Sequence, residues 1–204
     1  MPRPKKTERQ QQEMRERILD AAHEILKKNG YKGMTSRAIA SQLGVAHMGL
    51  YTYFPNQAAL LHALGDRELA KVQMQQQKIE RQAESQNIVD VMRTALAVFP
   101  KFEKKNPDLY HLGWVVPQMG LENPTQTRAR MQSNVQHLAR LIEIGIEQGV
   151  FQKRDPWLAA AAVLGIVNTP LILFHSGRLA SVAMRDKLVE EMLDAAISYL
   201  TDRS

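Results

Sequence analysis

The chain has 204 residues, 44% hydrophobic and 24% charged, with a formal net charge of +6. That is enough for one large domain or two small ones with a sizeable core, and the composition is not that of a disordered segment. It contains no cysteine, which excludes disulfides, cysteine-ligated zinc, iron–sulfur clusters and a thiol nucleophile.

The positive charge is unevenly placed. Residues 1–60 hold ten Lys and Arg against five Asp and Glu, whereas residues 61–204 hold seventeen against sixteen. A basic start on a neutral remainder points to two jobs, one of them with a polyanion. A solubilising tail is the plain alternative.

The N-terminus, MPRPKKTERQQQEMRER, has no apolar run and reads as a polar basic arm (Arg3, Lys5, Lys6, Arg9), not a signal peptide. Beyond it, no window alternates between apolar and polar residues, so the chain is expected to be all-α. About nine helices are predicted: 12–29, 36–43, 46–53, 56–84, 87–105, 107–119, 124–148, 156–175 and 185–201. In the first, Ile18, Ala21, Ala22, Ile25 and Leu26 share one face. Thr35, Asn56, Asn87, Asn106, Asn123 and Asp155 are expected N-caps, the last three followed by proline. Gly30, Gly149 and Gly177 are expected stops.

From Pro156 to Gly177 no residue is charged, and the stretch is long enough to cross a bilayer. Asn168, Thr169, Pro170, His175 and Ser176 interrupt it, so a soluble helix buried on every side is expected, with no membrane partner.

The helices 36–43 and 46–53 are separated by two residues. Gly44 supplies the backbone freedom such a turn needs. Ile39, Leu43, Val45 and Leu50 are placed to share a core with Ile18, Ala22 and Ile25. This is helix-turn-helix spacing, in which the second helix enters the DNA major groove. Thr35, capping the first short helix, would turn its N–H groups toward phosphate.

The run from Ile18 to Leu61 resembles the DNA-binding domain of the tetracycline-repressor (TetR) family. The matching residues are Ala21-Ala22, Gly30-Tyr31, Thr35, Ile39-Ala40, Gly44-Val45, Leu50-Tyr51, Phe54-Pro55 and Ala59-Leu60-Leu61. They cover about a quarter of the chain; the remainder resembles the family only in length and helical pattern. The resemblance implies two domains. Residues 1–55 would form the arm and a three-helix DNA-binding domain, and residues 56–204, joined through a long helix, a helical ligand-binding and dimerisation domain.

By the same resemblance Thr35, Arg37, Tyr51, Tyr53 and Gln57 fall where members contact phosphate. Ala46, His47, Met48 and Thr52 fall where members face bases or the groove. This chain departs from the family pattern with Ala46-His47-Met48-Gly49, with Tyr53 where histidine is common and with Gln57 where lysine is common. The arm and Lys27, Lys28 and Lys32 are placed to compensate. Tyr51 and Phe54 are also compatible with a core role, and His47 with a backbone contact alone.

The family dimerises through its last two long helices, here 156–175 and 185–201, and encloses a small-molecule pocket. Phe99, Phe102, Tyr110, Trp114, Met119, Met131 and Phe174 are the expected apolar lining, with Asn168, His111 and His137 as polar candidates and Trp157 among the nearby aromatics. Pro170 would free the carbonyl of Ile166. The expected function is a homodimeric repressor, cytoplasmic and nucleoid-associated, released from a near-palindromic double-stranded DNA operator by a small, largely apolar effector. The alternatives are a regulator or architectural protein without an effector, or an enzyme with a hidden site. No catalytic residue, metal or cofactor is expected, because no nucleophile–base pair, Gly-rich phosphate loop or histidine ligand spacing occurs.

Overall fold

The computed structural model describes residues 7–83, 85–115 and 124–202, with side chains except at 114, 115 and 124–131. Several sequence expectations therefore lie outside the described residues. These are Arg3, Lys5 and Lys6 of the arm, the Asn123 cap, Met119, the end of the predicted helix 107–119, and the side chains of Trp114 and Met131. Among the described residues all regular structure is helical. The chain divides into two compact units, and the boundary falls between Glu68 and Leu69.

The first unit holds α1 (Glu8–Gly33), α2 (Ser36–Leu43), α3 (His47–Leu50) and the start of α4 (Gln57–Gln82). Helix α1 begins four residues earlier than expected, because Thr7 and Gln10 form a capping box. Arg9 therefore belongs to the first turn of α1, not to an arm, and pairs with Glu13 at 2.9 Å. Gly30, with φ of 66°, kinks α1 at the expected stop, and the chain adds one turn to Gly33. Ile18, Ala22, Ile25, Ile39, Ala40, Leu50 and Phe54 are buried together, whereas Leu43 and Val45 are only half-buried. Arg67 ties α4 to α1, donating to Asp20 at 2.7 Å and Glu16 at 3.3 Å.

The second unit continues α4 and adds α5 (Ile88–Leu96), α6 (Val98–Lys105), α7 (Pro107–Tyr110), a π-helical segment (His111–Val115), α8 (Pro124–Glu147), α9 (Pro156–His175) and α10 (Val182–Thr201). The single helix expected over 87–105 is broken at Ala97. Pro100 explains the break: it has no N–H for the carbonyl of Leu96, and its ring crowds that carbonyl. Asn106 does not cap α7 with its side chain; its amide instead donates to the Phe102 carbonyl at 3.4 Å, closing α6. Asn56, Asn87 and Asp155 do accept helix N–H bonds as expected.

Helix α9 packs against α8 and α10. Its inward face is Ala159, Ala160, Val163, Leu164, Val167, Asn168 and Leu171. It is not buried on every side. Leu158, Ala161, Gly165, Thr169 and Ile172 form an exposed row, and Trp157 is exposed as well. The helix is long and apolar enough to cross a membrane by length and composition, with 44% of that window buried inside the protein. A uniformly apolar sequence hides which face meets the core, since periodicity carries the facing signal.

Candidate functional site

The turn between α2 and α3 is built as its residues dictate. Gly44 adopts φ 64°, ψ 33°, and its N–H and that of Val45 close onto the end of α2, the latter reaching the Ala40 carbonyl at 3.0 Å. Thr35 caps the other end, accepting from the Ala38 N–H at 3.2 Å. Helix α3 is shorter than the expected 46–53. Only His47–Leu50 is α-helical, and residues 51–53 are turn. Gly49, the aromatic and β-branched run Tyr51-Thr52-Tyr53, and Pro55 all disfavour continuation.

On the outer side of this turn lie Thr35, Arg37, Ala46, Met48, Tyr51 and Thr52, all exposed, with Met48 at 72% and Tyr51 at 41%. Tyr51 is thus outside the core, whereas Phe54 is in it. Ser36 gathers two of the expected contacts: its Oγ lies 3.1 Å from His47 Nε2 and 3.3 Å from the Tyr51 hydroxyl. The His47 and Tyr51 rings meet edge to face at 5.4 Å. Ser36 was not singled out in the sequence; as the first residue of α2 it carried no signal beyond its hydroxyl.

Tyr53 and Gln57 are half-buried. The Tyr53 carbonyl accepts from Arg15 Nη1 at 2.6 Å, and that guanidinium lies 4.4 Å from the Phe54 ring centre. Gln57 Nε2 donates to the Met34 carbonyl at 2.7 Å, so one amide hydrogen holds the loop that presents Thr35.

The second unit contains a buried polar cluster. Glu103, 0% exposed, accepts at Oε1 from His175 Nε2 (2.7 Å) and Arg185 Nη1 (2.8 Å). Its Oε2 is buried and has no hydrogen-bond partner. Arg185, 6% exposed, also donates to Asp186 through Nε and Nη2, and Asp186 pairs with Lys104 at 3.0 Å. Tyr110 donates to Asn168 Oδ1 at 3.1 Å, and Asn168 Nδ2 donates to the Leu164 carbonyl at 2.9 Å. Burial, reinforced by the Glu103 charge, pushes the Tyr110 phenol far up, so it remains a donor at physiological pH. For Asp186, burial is the largest single influence and raises the pKa, but the hydrogen bonds and charges of Lys104 and Arg185 together outweigh it, so its carboxyl titrates below the usual range.

Of the expected lining, the structure brings Tyr110, Asn168 and Phe174 to this cluster: Phe174 is half-buried, with the Arg185 guanidinium 4.8 Å from its ring centre. Phe99 and Phe102 are buried in the same unit. His137 is engaged elsewhere, its Nδ1 2.9 Å from Glu80. Among the described residues no group of His, Cys, Asp and Glu could hold a metal ion.

Residues 18–64 match the model of the bacterial regulatory proteins of the tetR family. This similarity is to the DNA-binding segment of that family and is confined to the first third of the chain. The class D tetracycline repressor of Escherichia coli is 42% identical over 57 residues, which are 28% of this chain; the chain spans only 26% of that repressor's length. Two solved structures share the fold over nearly the whole chain. A putative transcriptional regulator from Saccharomonospora viridis, in complex with choline, is 19% identical with a TM-score of 0.77, covering 94% of this chain and 100% of that one. The regulator FadR from Bacillus subtilis, in complex with stearoyl-CoA, is 20% identical with a TM-score of 0.68, covering 91% and 98%.

Glu103 and Arg185 carried no signal in the sequence. They lie 82 residues apart, and each resembles any surface charge on an amphipathic helix. Gln76, between two other glutamines, carried no such signal either, yet it is 3% exposed with neither amide atom hydrogen-bonded.

Proposed function

We propose that this protein is a homodimeric transcriptional repressor. Its α2–α3 face binds a near-palindromic DNA operator, and a small, largely apolar effector held by the second unit releases it. The observation that carries the reading is the exposed face around Gly44, where Arg37, Met48 and Tyr51 project from the basic segment of the chain. An α-helix is what the major groove admits, and an arginine and a tyrosine hydroxyl suit phosphate and base edges. Met48 and Thr52 offer methyl groups to thymine, and His47 a base-edge bond. Domain boundaries of 1–55 and 56–204 fit this division of labour.

The exposed apolar row of α9, with its small Ala161 and Gly165, suits close packing on the same helix of a second copy beside α10. Two-fold symmetry would then space two recognition segments about 34–36 Å apart, one DNA turn. Helix α4 carries residues of both units, so a ligand preferring the DNA-incompetent arrangement by a few kcal/mol would release the operator. Relatives in fold held with choline and stearoyl-CoA support an effector without naming it. The chemistry calls for no catalytic step, and the work is placed in the cytoplasm, at the nucleoid.

Selection of bound fragments from a random duplex library with the purified full chain tests the reading. Enrichment of one motif with two inverted half-sites is expected; an unenriched pool would overturn it.

A further inference from the structure

The buried cluster around Glu103 has one acceptor left over. Oε1 is used twice, by His175 and Arg185, while Oε2 has no partner. A carboxylate oxygen held away from water without a donor is costly, and nearly all such groups in folded proteins find a partner. The histidine that bonds the other oxygen stands among rings. The His175 ring lies 5.2 Å from Tyr110, 5.6 Å from His111 and 5.4 Å from Phe174, centre to centre. The backbone here is irregular as well. His111 opens a π-helical segment packed against α9, and α9 itself carries Pro170. Single π turns of this kind concentrate at functional sites.

The charges around the acceptor decide what it would take. Glu103 and Asp186 are matched by Arg185 and Lys104. A cation added there would leave an uncompensated positive charge, and an anion would face the bare carboxylate oxygen. A neutral molecule with one O–H donor satisfies Oε2 and leaves the balance intact. The rings favour an apolar or aromatic body.

We infer that Glu103 Oε2 is the polar anchor of the effector site, and that the site takes a neutral, mainly apolar ligand that donates one hydroxyl hydrogen. This rests on the effector-responsive reading above and specifies its chemistry.

Calorimetric titration of the DNA-free full chain tests it with three probes: 4-butylphenol, its methyl ether 4-butylanisole, and 4-butylbenzylammonium. The phenol is expected to bind saturably, the ether about tenfold or more weakly because it cannot donate, and the ammonium no better than the ether. Equal affinity for phenol and ether, tighter binding of the ammonium, or no saturable phenol binding would overturn the assignment. In Glu103→Gln the carboxamide oxygen would stay on Arg185 and His175 and turn an N–H donor toward the ligand, which either probe's oxygen can accept. The phenol-to-ether ratio is expected to fall toward one; an unchanged ratio would overturn the role of Oε2. Should that variant fail to fold by circular dichroism, the wild-type ratio decides alone. Phenol binding without release of the enriched operator duplex would keep the site and remove its regulatory role. Absent phenol binding with intact operator binding would keep the regulator and remove the site.

Discussion

The turn between α2 and α3 and the cluster around Glu103 use the same device in opposite surroundings. In the first, the Ser36 hydroxyl bridges His47 and Tyr51 at an exposed surface. In the second, one oxygen of the fully buried Glu103 carboxylate bridges His175 and the nearly buried Arg185. Water competes for every group in the first, so the bridge orients side chains but contributes little to stability. Water competes far less in the second, so each charge depends on its partners. Substitutions should therefore cost affinity for DNA in one region and folding free energy in the other.

The largest expected effect is in the interior. Glu103→Ala leaves Arg185 buried with only Asp186 beside it, and should lower stability by about 3 kcal/mol in chemical denaturation. The double variant Glu103→Leu/Arg185→Met should recover most of that loss; no recovery would mean that packing, not charge, holds the site. At the surface, Arg37→Ala should weaken operator binding by about 1–3 kcal/mol in fluorescence anisotropy while leaving the denaturation midpoint in place. A matching loss of stability would erase the contrast between the regions.

Gly44→Ala sharpens the comparison from the backbone side. Apart from its two chain neighbours, nothing lies within 4 Å of the added methyl, so the cost is conformational. The left-handed φ of 64° should cost about 1 kcal/mol of stability. A much larger loss would show a packing contact at that turn. The smallest effect concerns Asp186. Its folded-state pKa is lowered, so its contribution is present above the ordinary carboxylate range and is lost as pH falls through the folded value. Asp186→Asn should flatten the acid limb of the stability–pH curve slightly, because the group is partly exposed. An unchanged limb would place the acid sensitivity elsewhere.

The same contrast explains what could be read without coordinates. The α2–α3 turn is set by interactions within ten residues: a threonine cap, a glycine in a left-handed turn, and apolar residues at helical spacing. These leave a local pattern, and residues 18–61 carried it. The Glu103–Arg185 pair joins α6 to α10, and neither residue has a neighbour in sequence that marks it as buried. Helix α9 was legible as a helix but not as a half-exposed one, since its apolar residues run all round. Pro100 interrupts the expected helix over 87–105, a local signal that the single-helix expectation left out. The shortness of α3 follows from Gly49 and the aromatic run after it, a local signal weaker than the spacing argument that favoured eight residues.

The central claim is that the α2–α3 face, and not the basic charge alone, binds the operator. The measurement that tests it most directly is a titration of the enriched duplex with the wild-type protein and Tyr51→Ala, alongside sedimentation of each. The account predicts that Tyr51→Ala loses sequence-selective binding while keeping the same oligomeric state and thermal midpoint. Unchanged affinity for the selected duplex would contradict it.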